Sequence, residues 1–382
     1  MPARLTADQL SWDLDVRDLT DPAEGPHAIQ LIIHRAVRAP AELWGCQVRW
    51  WRGKRIVSIE DNYDNLGFDH VDITRDARYT RYVDDHRMLR SHSSAMIPAA
   101  LRAVADDPAE DLLLVCPGIV YRRDAIDRQH TGTPHQLDLW RLTRRRPPMT
   151  DTDLDEMINT LLGALLPGAT DRKEPRIHPY TLDGRQVNVA RDGEWVEVAE
   201  CGLVHPDVLA RAGLDASWSG LALGMGLDRM LMLLKAIPDI RLLRSTNPAI
   251  ATQMMDLTPY HPVSTMPPIR RDVSIAVDSH DLAEDLGDRV RDALGKDAAC
   301  VESVEILQQT PCAALPAHAL ARLGARTDQK NILTKIVLRH LNRTLSNHEA
   351  NVMRDRIYAA LHQGTAQQWA TTLAGTSMPV RD

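Results

Sequence analysis

The chain has 382 residues, 44% of them hydrophobic and 25% charged, with a formal net charge of -7 at pH 7 and a mean hydropathy of -0.29. That is the make-up of a globular protein with room for two or three domains, and the negative balance excludes attraction to nucleic acid through net charge, though a local basic surface stays open to RNA. No apolar run reaches the roughly 18–20 residues of a membrane span, and the opening MPARLTADQLSWDLDVRD lacks a signal's apolar core, so the cytoplasm is the expected compartment.

Residues 1–24 are polar and acidic and read as a loose arm or a short helix. Residues 27–37 space Ile29, Ile32, Ile33 and Val37 helically and predict a core-packed helix. Segments 46–51 and 55–59 read as two short strands around an Arg52-Gly53-Lys54 turn. Residues 60–86, rich in Asp, Arg and Tyr, read as a long ordered loop. Ser93-Ser94 precede a helix over 96–104 and, on local grounds, read as its N-cap.

The stretch 115–141, VCPGIVYRRDAIDRQHTGTPHQLDLWR, reads as strand, long polar loop, strand: an antiparallel hairpin with functional groups at its tip. Arg122, Asp124, Asp127, His130, His135, Gln136 and Asp138 supply more kinds of hydrogen-bonding group than a solvated tip needs. Thr150–Asp153 then cap a helix carrying Leu154, Met157, Ile158, Leu161, Leu162 and Leu165. Segments 185–189 and 194–198 alternate like strands, and His205-Pro206 turns into a helix. In GLALGMGLDRMLMLL, residues 220–234, three glycines precede Asp228-Arg229 and an apolar helix. This is either a plain strand-to-helix turn or one that lets a nucleotide approach the backbone, with Arg229 facing phosphate. Residues 258–268 hold four prolines and read as a linker. Residues 272–362 have the order β-α-β-β-α of a ferredoxin-like domain without a clear last strand.

Five cysteines, none in a C-x-x-C pair, support neither a disulfide framework nor a zinc site, and no protein metal ligands are predicted. A single Phe, Phe68, stands against 8 Trp and 7 Tyr.

Taken together, Tyr121-Arg122-Arg123-Asp124 with Asp127, His130 and His135-Gln136 resembles motif 2 of a class II aminoacyl-tRNA synthetase, in detail the phenylalanyl-tRNA synthetase catalytic subunit. Leu89-Arg90-Ser91-His92-Ser93-Ser94 is similar to that family's L-R-T-H-T-S. WVEVAECGLVHP, 195–206, resembles its W-x-E-x-x-G-x-G-M-V-H-P, and 220–229 resembles its motif 3. Past the linker, PPIRRDVS, VESVEI and RTLSNHEAN resemble its ferredoxin-fold anticodon-binding domain.

The resemblance implies an α+β fold: an antiparallel class II synthetase sheet with flanking helices over 1–257, a linker over 258–268, and a ferredoxin-like anticodon-binding domain over 269–382. It implies ATP-dependent activation of an amino acid, phenylalanine first, and transfer to tRNA(Phe), with Mg2+ accompanying ATP. Arg122 is expected on the α-phosphate and the amino-acid carboxylate, and Arg229 on the γ-phosphate; guanidinium is permanently charged and bidentate. Asp124, His130, Gly224 and Gly226 fall on the ATP side. His92, Ser94, Gln136 and Asp138 surround the α-amino group. His178, Tyr180, Ala222 and Gly224 line the side-chain pocket. Arg339, Arg343 and Arg354 are candidates for tRNA. Both modules in one chain imply a monomer or homodimer without a second subunit type. His178-Pro179-Tyr180 replaces the family's F-P-F, and Pro134, Asp138 and Leu139 also depart. Either the pocket accepts another amino acid or related carboxylic acid, or a chain-wide loss of Phe has left specificity unchanged.

Overall fold

The computed structural model describes residues 4–71, 75, 79–106, 109–191, 193–263 and 266–366. Part of the expected loop (72–74 and 76–78) and the end of the expected C-terminal domain (367–382) lie outside the described residues. The chain forms two compact units: Met1–Arg122 with Thr133–His261, and Arg123–Gly132 with Pro262–Asp382.

The first unit opens with helix α1 (Ala7–Asp15), closed at its start by a Thr6–Gln9 capping box. Helix α2 (Ala28–Trp44) buries Ile29, Ile32, Ile33, Ala36 and Val37, the face its helical spacing predicts. Strands β1 (Gln47–Trp50) and β2 (Ile56–Ser58) come next, then helix α3 (Ile59–Asn62) and strand β3 (Arg87–Leu89). The first two strands are not partners: β1 runs parallel to β4 (Asp111–Ile119), and β2 pairs antiparallel with β3. A 3-10 turn, Ser93–Met96, leads into α4 (Ile97–Ala105).

The expected hairpin is present as β4 and β5 (His135–Thr143), paired from Asp111↔Thr143 to Ile119↔His135. Beyond it lie α5 (Asp151–Leu165), whose Thr150–Asp153 capping box forms as predicted, and strands β6 (Asp171–Pro175), β7 (Thr181–Arg191) and β8 (Glu194–Val204). Helix α6 (Pro206–Arg211), strand β9 (Ser219–Gly226), helix α7 (Leu227–Lys235) and helix α8 (Pro248–Ala251) complete the unit. The seven-stranded sheet has the order β1-β4-β5-β9-β8-β7-β6, antiparallel except at β1. Leu101, Leu112, Leu114, Trp140, Leu142 and Leu209 belong to its core.

The second unit comprises β10 (Ile269–Asp278), α9 (Ala283–Leu294), β11 (Val301–Pro311), α10 (Ala317–Leu323), β12 (Gln329–Leu338) and α11 (Asn347–Leu361). Its antiparallel sheet has the order β10-β12-β11. Val273, Ile275, Leu286, Val290, Ile336 and Ile357 share its core with Ile126. The whole segment Arg123–Gly132 belongs here, although it is the tip of the hairpin read as catalytic. Val304 N–H donates to the Ile126 carbonyl at 3.0 Å. Arg291 donates to the Ala125 carbonyl at 3.0 Å, and Arg128 pairs with the buried Glu302. Among the described residues no helix is long and apolar enough to cross a membrane.

Candidate active site

Three neighbouring strands build one face. Across β5, β9 and β8 the register aligns Asp138, Gly224 and Glu200 in one row and Trp140, Ala222 and Gly202 in the next. Gln136 and Gly226 lie one row to the other side. Residues in register point to the same side of a sheet, and alternate residues along each strand repeat it. The central strand therefore presents only glycine and alanine, between polar side chains on β5 and β8.

Two of those glycines are not demanded by crowding. A Cβ on Gly226 meets nothing within 4 Å, and one on Gly224 meets only Asp138 Oδ2 at 3.8 Å. Neither has the positive φ that reserves a position for glycine. Gly202 and Gly220 differ, since a Cβ there lies 2.6 Å from Thr181 Cβ and from the Arg141 carbonyl respectively. The open floor at 224 and 226 runs into α7, whose N-cap Gly226 supplies no side-chain hydrogen bond. Uncapped N–H groups at a helix start favour an anion. Arg229 stands in that first turn, partly exposed, with Nη1 3.4 Å from the Glu197 carbonyl. Arg122 is aimed by a 2.8 Å bond from its Nε to the Ser91 carbonyl.

One polar cluster assembles around Asp138, which is buried. Ser94 Oγ donates to its Oδ1 at 3.0 Å, Trp140 Nε1 donates to the same oxygen at 3.1 Å, and Ser93 Oγ donates to Oδ2. Burial pushes the Asp138 carboxyl above its ordinary range, and these three donors pull against that. Ser93 and Ser94 thus bind a carboxylate across the fold instead of capping α4; His92 holds the cap position of their turn without a side-chain bond. Gln136 Oε1 accepts the Ser93 N–H at 3.0 Å. His92 stacks on Phe68, centroids 5.6 Å apart. Burial, and then the Arg122 charge, lower its pKa to about 3, so its imidazole is neutral near pH 7.

In a second cluster His178 stacks on Tyr180 at 5.5 Å, and Tyr180 on Trp140 at 6.1 Å. His178 Nδ1 lies 3.2 Å from Thr181 Oγ1, and its Nε2 lies 3.1 Å from Glu200 Oε2. Burial raises the pKa of Glu200, but His178, Arg176 and Arg122 more than offset this and lower it overall. Burial raises the Tyr180 hydroxyl, and Asp138 and Glu200 add to it. Ala222 is buried.

The first unit therefore gathers Arg122, Arg229, His92, Ser94, Gln136, Asp138, His178, Tyr180, Ala222, Gly224 and Gly226. Asp124 and His130 belong to the second unit instead. There Asp124 Oδ1 accepts the Ala125 N–H at 3.0 Å, and His130 Nδ1 lies 2.7 Å from Asp127 Oδ2. Arg339, Arg343 and Arg354 pair with Glu302, Glu349 and Asp355 at 2.5, 2.7 and 2.6 Å. Among the described residues no cluster of three His, Cys, Asp or Glu side chains fits a metal.

Sequence reasoning missed Glu200, Trp140 and Asn62. Glu200 stands where the motif W-x-E-x-x-G has glycine, a departure visible in the quoted residues. Trp140 was readable only as an apolar strand position. Buried Asn62 accepts the Ser91 N–H at 3.1 Å and donates to Ser91 Oγ at 2.9 Å; its local context gives no sign of this.

A polar-walled sheet face with a glycine floor and an uncapped helix start, in a unit that also holds Arg122 and Arg229, fits a class II synthetase core. The chain belongs to that family: the model for the tRNA synthetases class II core domain (F) matches residues 27–254. It is similar to the mitochondrial phenylalanine--tRNA ligase of Saccharomyces cerevisiae, 26% identical over 81% of this chain and 80% of that one. The phenylalanine--tRNA ligase alpha subunit of Psychrobacter arcticus is 34% identical over 50% of this chain and 53% of its own length. That of Prochlorococcus marinus (strain CCMP1986 / NIES-2087 / MED4) is 32% identical over 50% and 55%. The chain spans about half the length of these alpha subunits.

Proposed function

We propose that this chain joins an amino acid, phenylalanine first, to ATP as an aminoacyl-adenylate and passes it to the 3′ end of tRNA(Phe). The observation that carries this reading is the open glycine floor at 224 and 226. Neither a positive φ nor a clash asks for glycine at either position, and at mid-strand Gly224 there is no helix cap to favour it either, so the demand there comes from what lies above it. In this reading the amino-acid carboxylate attacks the α-phosphate of ATP and pyrophosphate leaves. Arg122 neutralises charge at the α-phosphate and Arg229 holds the departing end. Positioning and charge neutralisation supply the rate, with no covalent step on the protein. The ammonium lies toward Asp138, Ser94 and Gln136, where hydroxyl, amide and carboxylate oxygens accept its protons. Magnesium would come with ATP as part of that substrate and would offset the charge of its phosphates.

The second unit takes the tRNA in this proposal, and the chain works in the cytoplasm as a monomer or homodimer, without a second subunit type. Arg339, Arg343 and Arg354 contribute as ion-paired side chains that exchange a carboxylate for a phosphate.

One observation favours a second reading. The Trp140–Tyr180–His178 stack, with Glu200 behind His178, makes a polar, crowded wall where a benzyl side chain would lie. That suits a different amino acid or related carboxylic acid, with or without tRNA. ATP–pyrophosphate exchange with a panel of amino acids separates the two. Exchange with phenylalanine supports the first. Exchange with another amino acid alone supports the second, and none with any substrate rejects both.

A further inference from the structure

Behind the site lies a buried polar lock that joins its two halves. His135 is fully buried. Its Nε2 receives the Leu19 N–H at 3.1 Å and the Arg244 guanidinium at 3.1 Å. Both partners can only donate, so Nε2 is unprotonated and the ring proton sits on Nδ1. Nδ1 lies 2.9 Å from Asp228 Oδ1, and the backbone N–H of His135 donates to Asp228 Oδ2. One carboxylate thus takes two bonds from one residue. Arg244 also donates to the Thr133 carbonyl at 3.0 Å and to the Arg17 carbonyl at 2.6 Å.

The placement of this lock gives it its meaning. His135 begins β5, directly before Gln136 and three residues before Asp138. Asp228 stands in the first turn of α7, directly before Arg229. Neighbours on a strand face opposite sides, so His135 lies behind the sheet face that Gln136 and Asp138 occupy. We infer that His135 is a positioning residue, which through Asp228 holds the amino-acid strand and the phosphate helix at one fixed spacing; this rests on the ligase reading. Reactions that depend on alignment are sensitive to such spacing, since about 1 Å of misplacement costs about 100-fold in rate.

The two halves of the imidazole can be tested apart. His135→Asn places an amide N–H near Nδ1 and keeps the bond to Asp228, but loses the acceptor for Leu19 and Arg244. His135→Gln keeps that acceptor and loses the donor. Both are assayed by ATP–pyrophosphate exchange in the full chain, below each variant's melting midpoint, with ATP binding measured by equilibrium dialysis. His135→Gln is expected to lose about tenfold or more in kcat, as fits one charge-assisted hydrogen bond, and His135→Asn to stay within about threefold of the parent. ATP affinity changes little in either. Equal losses in the two variants, or losses that track the melting midpoint, overturn the inference and leave the ligase reading standing. If the unmodified chain neither exchanges with any amino acid nor binds ATP, the ligase reading falls and this inference falls with it.

Discussion

His27 shows how much one buried ring can control. It caps α2 through Nδ1, which accepts the Ile29 N–H at 3.2 Å, so its Nε2 carries the proton toward the Leu243 carbonyl at 3.1 Å. Burial lowers its pKa from 6.5 to about 4. A folded-state value below the unfolded one means that the cap's stability is present above pH 6.5 and is lost as pH falls toward 4. That loss amounts to about 3 kcal/mol between about pH 7.5 and about pH 4. His27→Asn keeps a capping side chain and removes the titration. Urea unfolding at the two pH values is expected to show a drop smaller by about that amount in the variant. An equal drop in both proteins places the acid sensitivity elsewhere. At this scale the sequence was half legible. The cap at His27 carries no local mark, and Ser93-Ser94 look like a cap yet serve Asp138, about 45 residues away in the chain. Local pattern is blind to a partner that distant; the resemblance groups Ser94 with Asp138, and periodicity does not.

Elements were easier to read than their partners. Helical spacing and capping residues marked α2 and α5, and alternation marked five residues each, 185–189 and 194–198, of the 11-residue strands β7 and β8. Strands β1 and β2 have 4 and 3 residues, too few to name a neighbour. They look like a hairpin because they are adjacent, yet each pairs with a strand later in the chain. Strand β9 carries the clearest element-level prediction. Gly226→Ala adds a methyl into open space at a β-type backbone, so no clash arises and the loss of stability should stay below about 1 kcal/mol, the amount by which alanine is the poorer helix N-cap. The KM for ATP should rise about tenfold or more if that space belongs to the nucleotide. Gly202→Ala, with Thr181 Cβ at 2.6 Å, should instead lose about 1–3 kcal/mol of stability. Melting and exchange kinetics on the pair tell the two kinds of glycine apart; a Gly226→Ala variant that melts early, or keeps its KM, refutes the assignment.

Across the whole molecule, the second unit is assembled from two stretches of chain, and Ile126 is its contribution from the hairpin. Ile126→Ala should cost about 2–4 kcal/mol, the range for a truncated core isoleucine. Amide hydrogen exchange on the full chain is the measurement: protection should fall in α9, β11 and α11, with β7 and β8 unaffected. Uniform loss across both units, or none, would show that Ile126 is not part of that core. The resemblance assigns the hairpin tip to the catalytic half, since sequence order gives no hint that 10 residues of a loop share a core with strands that begin at Ile269.

That shared core has a genetic consequence. A gene segment that encodes only the stretch from Pro262 onward carries a module with a missing wedge: no Ile126 among Val273, Leu286 and Val290, and no carbonyl for the Val304 N–H. The stretch before Pro262, moved alone, keeps an apolar wedge with nothing to seal. Recombination at the proline-rich junction therefore separates sequences but not folds. Descent by exchange of modules is open to this architecture only when the hairpin tip and the C-terminal piece travel together, or change together.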